Sequence, residues 1–262
     1  MKFWQERLKP KCVSDLERCL PLVELALQEL FANGKGFTGK TLNNYADALR
    51  GFLTWAIKQK YLTEHPLANL QPYDHEPKIK KRALTAEEAT RLLNEGPQER
   101  RLLYELALST GLRANEIRSL KVKHLDTTKG GLVLESAWTK NREAGFMWLP
   151  ADLVRRLAET CQAKLPEARL LKISEHHAGR QLQRDLKNIG IEPCTPEGKV
   201  DFHALRNTAI TLSIESGANL KEAQELARHS DPRLTMNIYA KARSSRMKEL
   251  AESVSQRISR MA

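Results

Sequence analysis

The sequence predicts a mainly α fold with one small β-hairpin, arranged as two helical segments joined by a basic linker. Apolar residues recur at helical spacing through most of the 262 residues, and 41% of the chain is hydrophobic, enough to bury a core. Residues 130–150 instead contain two short apolar runs on either side of a polar turn, which indicates a hairpin. Residues 71–85, "QPYDHEPKIKKRALT", combine prolines with basic side chains and indicate the linker.

The first segment contains two predicted helices. Residues 13–33 have apolar positions at helical spacing, with Gly34 and Gly36 as stop signals. A second helix begins at Thr38 or Thr41 and carries an apolar stripe formed by Leu42, Tyr45, Ala48, Leu49, Phe52, Leu53 and Ala56. The polar side chains outside this stripe either follow a phosphate backbone or form a solvated face, and the pattern leaves both open: Lys40, Asn43, Asn44, Arg50 and Lys58.

The second segment starts with a capped helix. Thr85 is the predicted N-cap, Glu88 stands three residues later in capping-box position, and Gly96 is the stop signal. Residues 99–125 then have the pattern of a helix, a turn at Gly111 and a second helix.

The hairpin and several further helices complete the second segment. The polar turn "TKNREAG" places Lys140 near the hairpin tip. Helical patterns follow at 151–163 and 179–190 and continue to an amphipathic tail at 245–262. That tail docks either on its own domain or on a neighbouring protomer.

Charge and cysteine content restrict the class of protein. The formal net charge is +11, which favours a polyanionic partner, nucleic acid before anionic lipid. The four cysteines lack metal-site or disulfide spacing, and no apolar run approaches a membrane span. Glu6 and Arg7 exclude a signal peptide, so we expect a cytosolic protein. The "EHH" at 175–177 has no third ligand at metal-site spacing, and we interpret it as polar residues exposed at the surface.

Residues 203–242 have the pattern of amphipathic helices, but they carry more ionisable side chains than such helices need. His203 and Arg206 are three residues apart and share one helix face. His229 follows a turn at Gly217, and Tyr239 lies ten residues further on. We therefore expect these side chains to meet at one site.

Two upstream groups fit the same site. Arg113 follows the Gly111 turn, and Glu116 is spaced to pair with its guanidinium. Lys140 adds another positive charge. Cations around one phenol suit phosphoryl transfer to tyrosine, because arginines match the two non-bridging oxygens of a phosphodiester.

These residues, in this order, resemble the tyrosine recombinase family, also called phage integrases. The stretches that carry the resemblance are "TGLRANEIRSL", "WTKN", "HALR" and "LARHSDPRLTMNIYAKA". Arg228 departs from the family pattern, in which glycine usually precedes this histidine; its side chain either disturbs the approach of His229 or adds a phosphate contact.

The resemblance implies a role for each site residue. Tyr239 attacks the scissile phosphate to give a 3′-phosphotyrosyl bond, His203 is the general base, and Lys140 is the general acid toward the leaving 5′-oxygen. Arg113 and Arg206 bind the non-bridging oxygens with help from His229, and Glu116 supports them. The reaction needs no metal, ATP or other cofactor.

The resemblance also implies a domain organisation. Residues 1–75 would be a helical core-binding domain that closes a C-shaped clamp on DNA, with its opening helix short or absent because little precedes Val13. Residues 76–84 are the linker, 85–244 the mostly helical catalytic domain and 245–262 the tail. The residues expected to bind DNA are Lys40, Asn43, Asn44, Arg50, Lys80, Lys81 and Arg82.

The implied function is site-specific recombination of double-stranded DNA by an enzyme of a bacterial or phage-encoded mobile genetic element. We expect a monomer off DNA, a tetrameric synapse on DNA, and in some settings an accessory DNA-bending or directionality factor. Two alternatives stay open: a type IB topoisomerase-like enzyme that nicks and closes one strand, and a DNA-binding protein without catalysis.

Overall fold

The computed structural model describes residues 1–32, 37–74, 80–135 and 145–244. The chain divides into two units, Met1–Lys78 and Ile79–Ala262, and each has its own buried apolar core. The predicted fold class is confirmed, because the described residues are mainly helical and their strands form small sheets.

The first unit contains α1 (Lys2–Leu8), α2 (Leu20–Ala32) and α3 (Gly39–Lys58). Helix α1 was not predicted from the sequence. It is held by Trp4, whose side chain is buried and whose indole Nε1 donates to the Tyr45 carbonyl of α3 at 2.7 Å. The helix ends at Lys9, which has a left-handed backbone (φ 47°), and Pro10 follows.

Helix α2 begins later than the sequence predicts. The expected helix over 13–33 is instead a 3₁₀ turn at Ser14–Leu16 followed by α2 from Leu20. Pro21 explains the break, because proline has no N–H to donate and its ring clashes with the carbonyl four residues earlier in a continuous helix. In the first turn of a helix neither problem arises.

Helix α3 begins as predicted, since the Thr38 hydroxyl accepts from the Thr41 N–H at 3.3 Å. The buried stripe differs slightly from the predicted one. Ala46 is buried and Ala48 is exposed. Spacings of four and three residues keep one face inward, and that face consists of Leu42, Ala46, Leu49, Leu53 and Ala56.

The second unit begins with helix α4 (Ala86–Glu95), and its predicted capping box is confirmed. The Thr85 hydroxyl accepts from the Glu88 N–H at 3.1 Å, and the Glu88 carboxylate accepts from the Thr85 N–H at 2.9 Å. The other described helices of this unit are α5 (Gln98–Thr110), α6 (Ala114–Ser119), α7 (Ala151–Cys161), α8 (Ala178–Asn188), α9 (Phe202–Glu215), α10 (Leu220–Ala227) and α11 (Pro232–Ser244).

The predicted hairpin is present and belongs to a three-stranded antiparallel sheet. Its strands are β1 (Leu125–Asp126), β2 (Gly131–Leu134) and β3 (Gly145–Trp148), in that order. Helix α6 stops at Ser119, well before the predicted end near residue 125. The helix stops because the backbone beyond it forms hydrogen bonds with a distant segment. The Leu170 N–H donates to the Leu120 carbonyl, and the Val122 N–H donates to the Ala168 carbonyl.

A second small sheet, β4 (Cys194–Thr195) with β5 (Gly198–Lys199), holds residues that the sequence assigns to the linker. The Lys199 N–H donates to the Lys80 carbonyl at 2.8 Å, and the Arg82 N–H donates to the Lys199 carbonyl at 3.3 Å. The Leu84 N–H donates to the Thr208 hydroxyl of α9 at 2.8 Å. Residues 80–84 are therefore fixed to the second unit.

The C-terminal helices α9, α10 and α11 pack on one another around Ile210, Ile214, Ala223 and Ala227. The end of α10 lies against the first half of α9, where Arg206 donates to the Ala227 carbonyl. The predicted tail at 245–262 lies outside the described residues. None of the helices in the described ranges is long and apolar enough to span a membrane.

Candidate active site

Arg206 of α9 lies at the centre of the candidate site. Its side chain is only 2% exposed, and it connects two turns of the chain. Nη1 donates to the Gly111 carbonyl at 2.6 Å, and Nη2 donates to the Ala227 carbonyl. Gly111 ends α5 with a left-handed backbone (φ 61°), and Ala227 ends α10, so Arg206 holds the α5–α6 turn and the α10–α11 turn together.

Arg113 and Glu116 form the predicted pair at the start of α6. The Glu116 carboxylate accepts from the Arg113 backbone N–H at 2.8 Å and from its Nη1 at 3.0 Å. Glu116 is 5% exposed whereas Arg113 is 34% exposed. A buried carboxylate therefore orients a guanidinium that still reaches the surface.

Arg228 contacts the same carboxylate oxygen as the Arg113 side chain does. Its Nη2 donates to Glu116 Oε1 at 3.2 Å. Glu116 thus joins Arg113 and Arg228, and Arg206 is close enough to be affected by all three charges. We call Arg113, Arg206 and Arg228, with Glu116 between them, the arginine cluster.

The surroundings of Arg206 lower the pKa of its guanidinium. Burial, followed by the positive charges of Arg113 and Arg228, lowers its pKa to about 10, while Glu116 opposes this effect. The guanidinium remains protonated at neutral pH.

His203 lies one turn before Arg206 on α9, at the exposed rim of the site. Desolvation and then the charge of Arg206 lower its pKa below the usual range for histidine, and Asp201 opposes the shift. Asp201 also caps α9 and pairs with Lys81 at 2.6 Å. A neutral imidazole at this point is able to accept a proton.

His229 lies in the α10–α11 turn and is held by both helices. Its Nδ1 shares a hydrogen bond of 2.9 Å with the Thr235 hydroxyl, and its carbonyl accepts from the Gln224 amide at 3.0 Å. Burial and the charges of Arg206 and Arg113 lower its pKa to about 4, so the ring is neutral at pH 7.

Tyr239 lies on α11 one turn after Thr235, so the two side chains share a helix face. Its ring is partly buried and packs against the apolar cluster between α9 and α10. Because Thr235 is bonded to His229, the same helix face carries the tyrosine and positions the histidine.

The structure describes five of the six predicted catalytic residues, all in the second unit. Contacts join Arg113 and Glu116 to Arg228, and Arg206 to the backbone on either side of the site. Lys140 lies outside the described residues.

The residues predicted to bind DNA fall into two groups. Lys40, Asn44 and Lys80 are exposed. The other four make contacts within the protein. The Asn43 amide exchanges two hydrogen bonds of 2.9 Å with the Tyr73 backbone, and Arg50 donates to the Leu70 carbonyl at 2.6 Å.

The two remaining basic residues hold the start of the second unit. Arg82 makes a bidentate pair with Glu88 and donates to the Glu192 carbonyl at 3.0 Å. Lys81 pairs with Asp201. These contacts within the protein account for the positions of both side chains without any contact to DNA, although Lys81 remains largely exposed.

Sequence reasoning missed Thr235 and Gln224. Thr235 is completely buried, and its hydroxyl meets the His229 ring. Its position four residues before Tyr239 is the signal that would have found it, because that spacing places both on one helix face.

Within the described ranges, no group of three or more His, Cys, Asp or Glu side chains is arranged to hold a metal ion. The ring centroids of His176 and His177 are 6.3 Å apart, and the planes of the two rings form an angle of 69°.

Comparison with known proteins identifies a family match over most of the second unit. Residues 82–246 match the model of the phage integrase family. Tyrosine recombinase XerA of Saccharolobus solfataricus is 28% identical over 220 residues, which cover 78% of this chain and 68% of the relative. Tyrosine recombinase XerD of Agrobacterium fabrum is 31% identical over 193 residues, which cover 64% and 57%.

Two solved structures share the fold. A lambda integrase (75–356) dimer bound to a COC′ core site superimposes with a TM-score of 0.62 at 21% identity, covering 84% of this chain and 78% of that one. The Tn1549 transposon integrase, in complex with transposon right end DNA, gives a TM-score of 0.62 at 21% identity, covering 95% and 93%.

Proposed function

The chain belongs to the phage integrase family as a tyrosine recombinase, and from this membership we propose that it cleaves and rejoins double-stranded DNA through a 3′-phosphotyrosyl intermediate. The observation that carries the proposal is the arginine cluster, which lies beside two neutral histidines. Tyr239 is on α11, whose Thr235 is bonded to one of these histidines, His229. Such a site matches the charge and geometry of a phosphodiester.

In the proposed cleavage step, the Tyr239 oxygen attacks the scissile phosphorus and the bond from phosphorus to the 5′-oxygen breaks. A free tyrosine has a pKa near 10, so few are ionised at neutral pH and the hydroxyl needs a base. His203 takes the tyrosine proton, since its lowered pKa keeps it neutral beforehand. Lys140 gives a proton to the departing 5′-oxygen.

Arg113 and Arg206 stabilise the charge that develops on the two non-bridging oxygens. Each such donor contributes about 3 kcal/mol when it is fixed before the reaction. The contacts of this site fix both donors, because Glu116 orients Arg113 and two backbone carbonyls orient Arg206. Neutral His229 donates from Nε2 when the Thr235 hydroxyl donates to Nδ1.

One phosphoester bond replaces another in this step, so the bond energy is kept and no ATP is consumed. Rejoining is the reverse reaction. Attack by the 5′-hydroxyl of a partner duplex in place of the original one gives strand exchange.

We propose that protomers assemble on paired DNA sites and are monomers off DNA. Lys40 and Asn44 of the first unit, both exposed, are candidates for backbone contacts.

The test is a covalent trapping assay without ATP and with EDTA. Wild-type protein is incubated with a pooled duplex library and candidate element ends, all nicked so that the cleaved product diffuses away. We expect a covalent adduct from wild type and none from Tyr239→Phe, because phenylalanine lacks the attacking oxygen. DNA binding of this variant should stay within about tenfold, since one hydroxyl is a small part of the interface.

Tyr61→Phe is the matched control, because this tyrosine is exposed and lies in the other unit. It should form adduct at the wild-type rate. An adduct from Tyr239→Phe would refute the assignment of the nucleophile. Cleavage with resealing but no strand exchange between paired sites would indicate the topoisomerase-like activity, and binding without any adduct would indicate a non-catalytic DNA-binding protein.

A further inference from the structure

Arg228 occupies a backbone position that suits glycine. It caps the end of α10 with φ 49° and ψ 45°, in the left-handed region. A side chain there is strained, whereas glycine is not. Since the local fold does not call for an arginine, its side chain needs another explanation.

The contacts of the side chain are with the active site. Its Nη2 binds Glu116 Oε1 at 3.2 Å, and Glu116 is already bonded to both the backbone and the side chain of Arg113. Glu116 therefore has partners without Arg228. The cluster has three positive charges and one negative charge, so Arg228 adds repulsion to the site as long as no anion is bound.

The cluster also has donors without acceptors. In the part of the chain that the structure describes, four guanidinium nitrogens are shielded from water and have no hydrogen-bond partner, and two of them, Arg228 Nη1 and Arg206 Nε, belong to the cluster. Buried donors in folded proteins are nearly always bonded, and unpaired ones are costly. An anion with several oxygen acceptors would satisfy these donors and offset the excess charge.

We propose that Arg228 is an additional phosphate-binding residue of this site, acting on the scissile phosphate beside Arg113 and Arg206. The inference rests on the proposed function for the identity of the anion. It assigns to Arg228 a contact with the substrate, and not only the positioning of Glu116.

The test compares single-turnover cleavage of two nicked duplexes of the same trapped sequence. One has an ordinary scissile phosphodiester, and the other has a methylphosphonate, in which a neutral methyl group replaces one non-bridging oxygen. The proteins are wild type, Arg228→Gly, Arg228→Lys and Lys9→Gly. Lys9 is the matched control, because it also has a left-handed backbone (φ 47°) and loses one positive charge.

We expect Arg228→Gly to cleave the phosphodiester at least tenfold more slowly than wild type but the methylphosphonate within about threefold of wild type. A residue that stabilises anionic oxygen matters less when that charge is absent. Arg228→Lys should lie between, because it keeps the charge without the planar fork. Glycine suits the backbone here, so we expect the variant to fold, which urea unfolding would verify. Lys9→Gly should match wild type on both duplexes.

Equal losses on both duplexes would overturn the proposal, because they would mean that Arg228 acts through the fold or through Glu116. If wild type forms no adduct with either duplex, the proposed function fails, and Arg228 is judged by a second measurement. Sodium phosphate should then raise the melting temperature of wild type above that in sodium chloride of equal ionic strength, with a clearly smaller rise for Arg228→Gly. Equal rises, or none, would overturn the anion contact.

Discussion

The histidines of the site are kept neutral by burial and then by the same arginines that make the site attractive to anions. His229 is partly buried beside Arg206 and Arg113, and His203 stands next to Arg206. Protonating either ring adds a charge where positive charge is already in excess. The free site is therefore prepared to accept a proton at His203 and to donate a hydrogen bond from His229 at neutral pH.

This arrangement predicts how stability depends on pH. The pKa of His229 is about 4 in the folded protein and about 6.5 in the unfolded chain, so the unfolded chain binds more protons between these values. The contribution of His229 to the free energy of unfolding is complete above pH 6.5 and is lost as the pH falls toward 4. His203 adds a change of the same sign.

Urea unfolding at pH 7.5 and pH 5.0 measures this dependence. His229→Gln should lose less stability between the two pH values than wild type, because glutamine does not titrate. His176→Gln, at an exposed histidine of the second unit, is the control for the substitution itself. A His229→Gln difference as large as that of wild type would contradict the assigned pKa.

Pairs set by spacing on one helix could be predicted from the sequence, and contacts between turns could not. Glu116 was expected to pair with Arg113 because the two are three residues apart, and it does so at 3.0 Å. The sequence identified Arg228 only as an unusual residue. Its contact with Glu116 depends on how α6 and α10 approach each other, which local spacing does not encode.

At the scale of secondary structure, α11 connects Tyr239, the proposed nucleophile, to the rest of the site. Thr235 and Tyr239 lie one turn apart, and Thr235 is bonded to His229 in the preceding turn. A shift of α11 would therefore move the tyrosine and the histidine together.

Replacing Thr235 with valine tests this connection. Valine keeps the shape but removes the hydroxyl that positions the His229 ring, and it leaves the ring nitrogen without this partner. We expect the single-turnover rate of adduct formation to fall about ten- to hundredfold, which corresponds to about 1.4–2.7 kcal/mol, with DNA binding within threefold of wild type.

Thr235→Ser is the control, since it keeps the hydroxyl and should stay within about threefold of the wild-type rate. Should valine at this position cleave as fast as wild type, Thr235 would not position His229 during the reaction.

Element types were more predictable than element boundaries. The capping box of α4 and the stop at Gly111 appear where the sequence placed them, because both depend on residues adjacent in sequence. The early end of α6 and the pairing of residues 80–84 with β5 depend on partners about 50 and more than 100 residues away. Strands of two residues, such as β1, carry too little pattern to be recognised.

At the scale of the whole molecule, the formal charge of +11 and the family membership lead to the same prediction. A protein that contacts six or more phosphates loses about 10³–10⁵ in affinity between 50 and 200 mM salt, because each contact releases counterions. We expect this loss for the duplex recovered by trapping, measured by fluorescence anisotropy over that salt range. Affinity that changes less than tenfold would contradict extensive backbone contact by this chain.

If the proposed mechanism holds, Tyr239 becomes covalently linked to DNA, and mass spectrometry of the trapped adduct identifies the linked residue. Wild-type protein is reacted with the nicked duplex in EDTA, digested with nuclease and protease, and fragmented. We expect a nucleotide joined through its 3′-phosphate to the Tyr239 side chain. A nucleotide on another residue, or one joined through a 5′-phosphate, would contradict this mechanism.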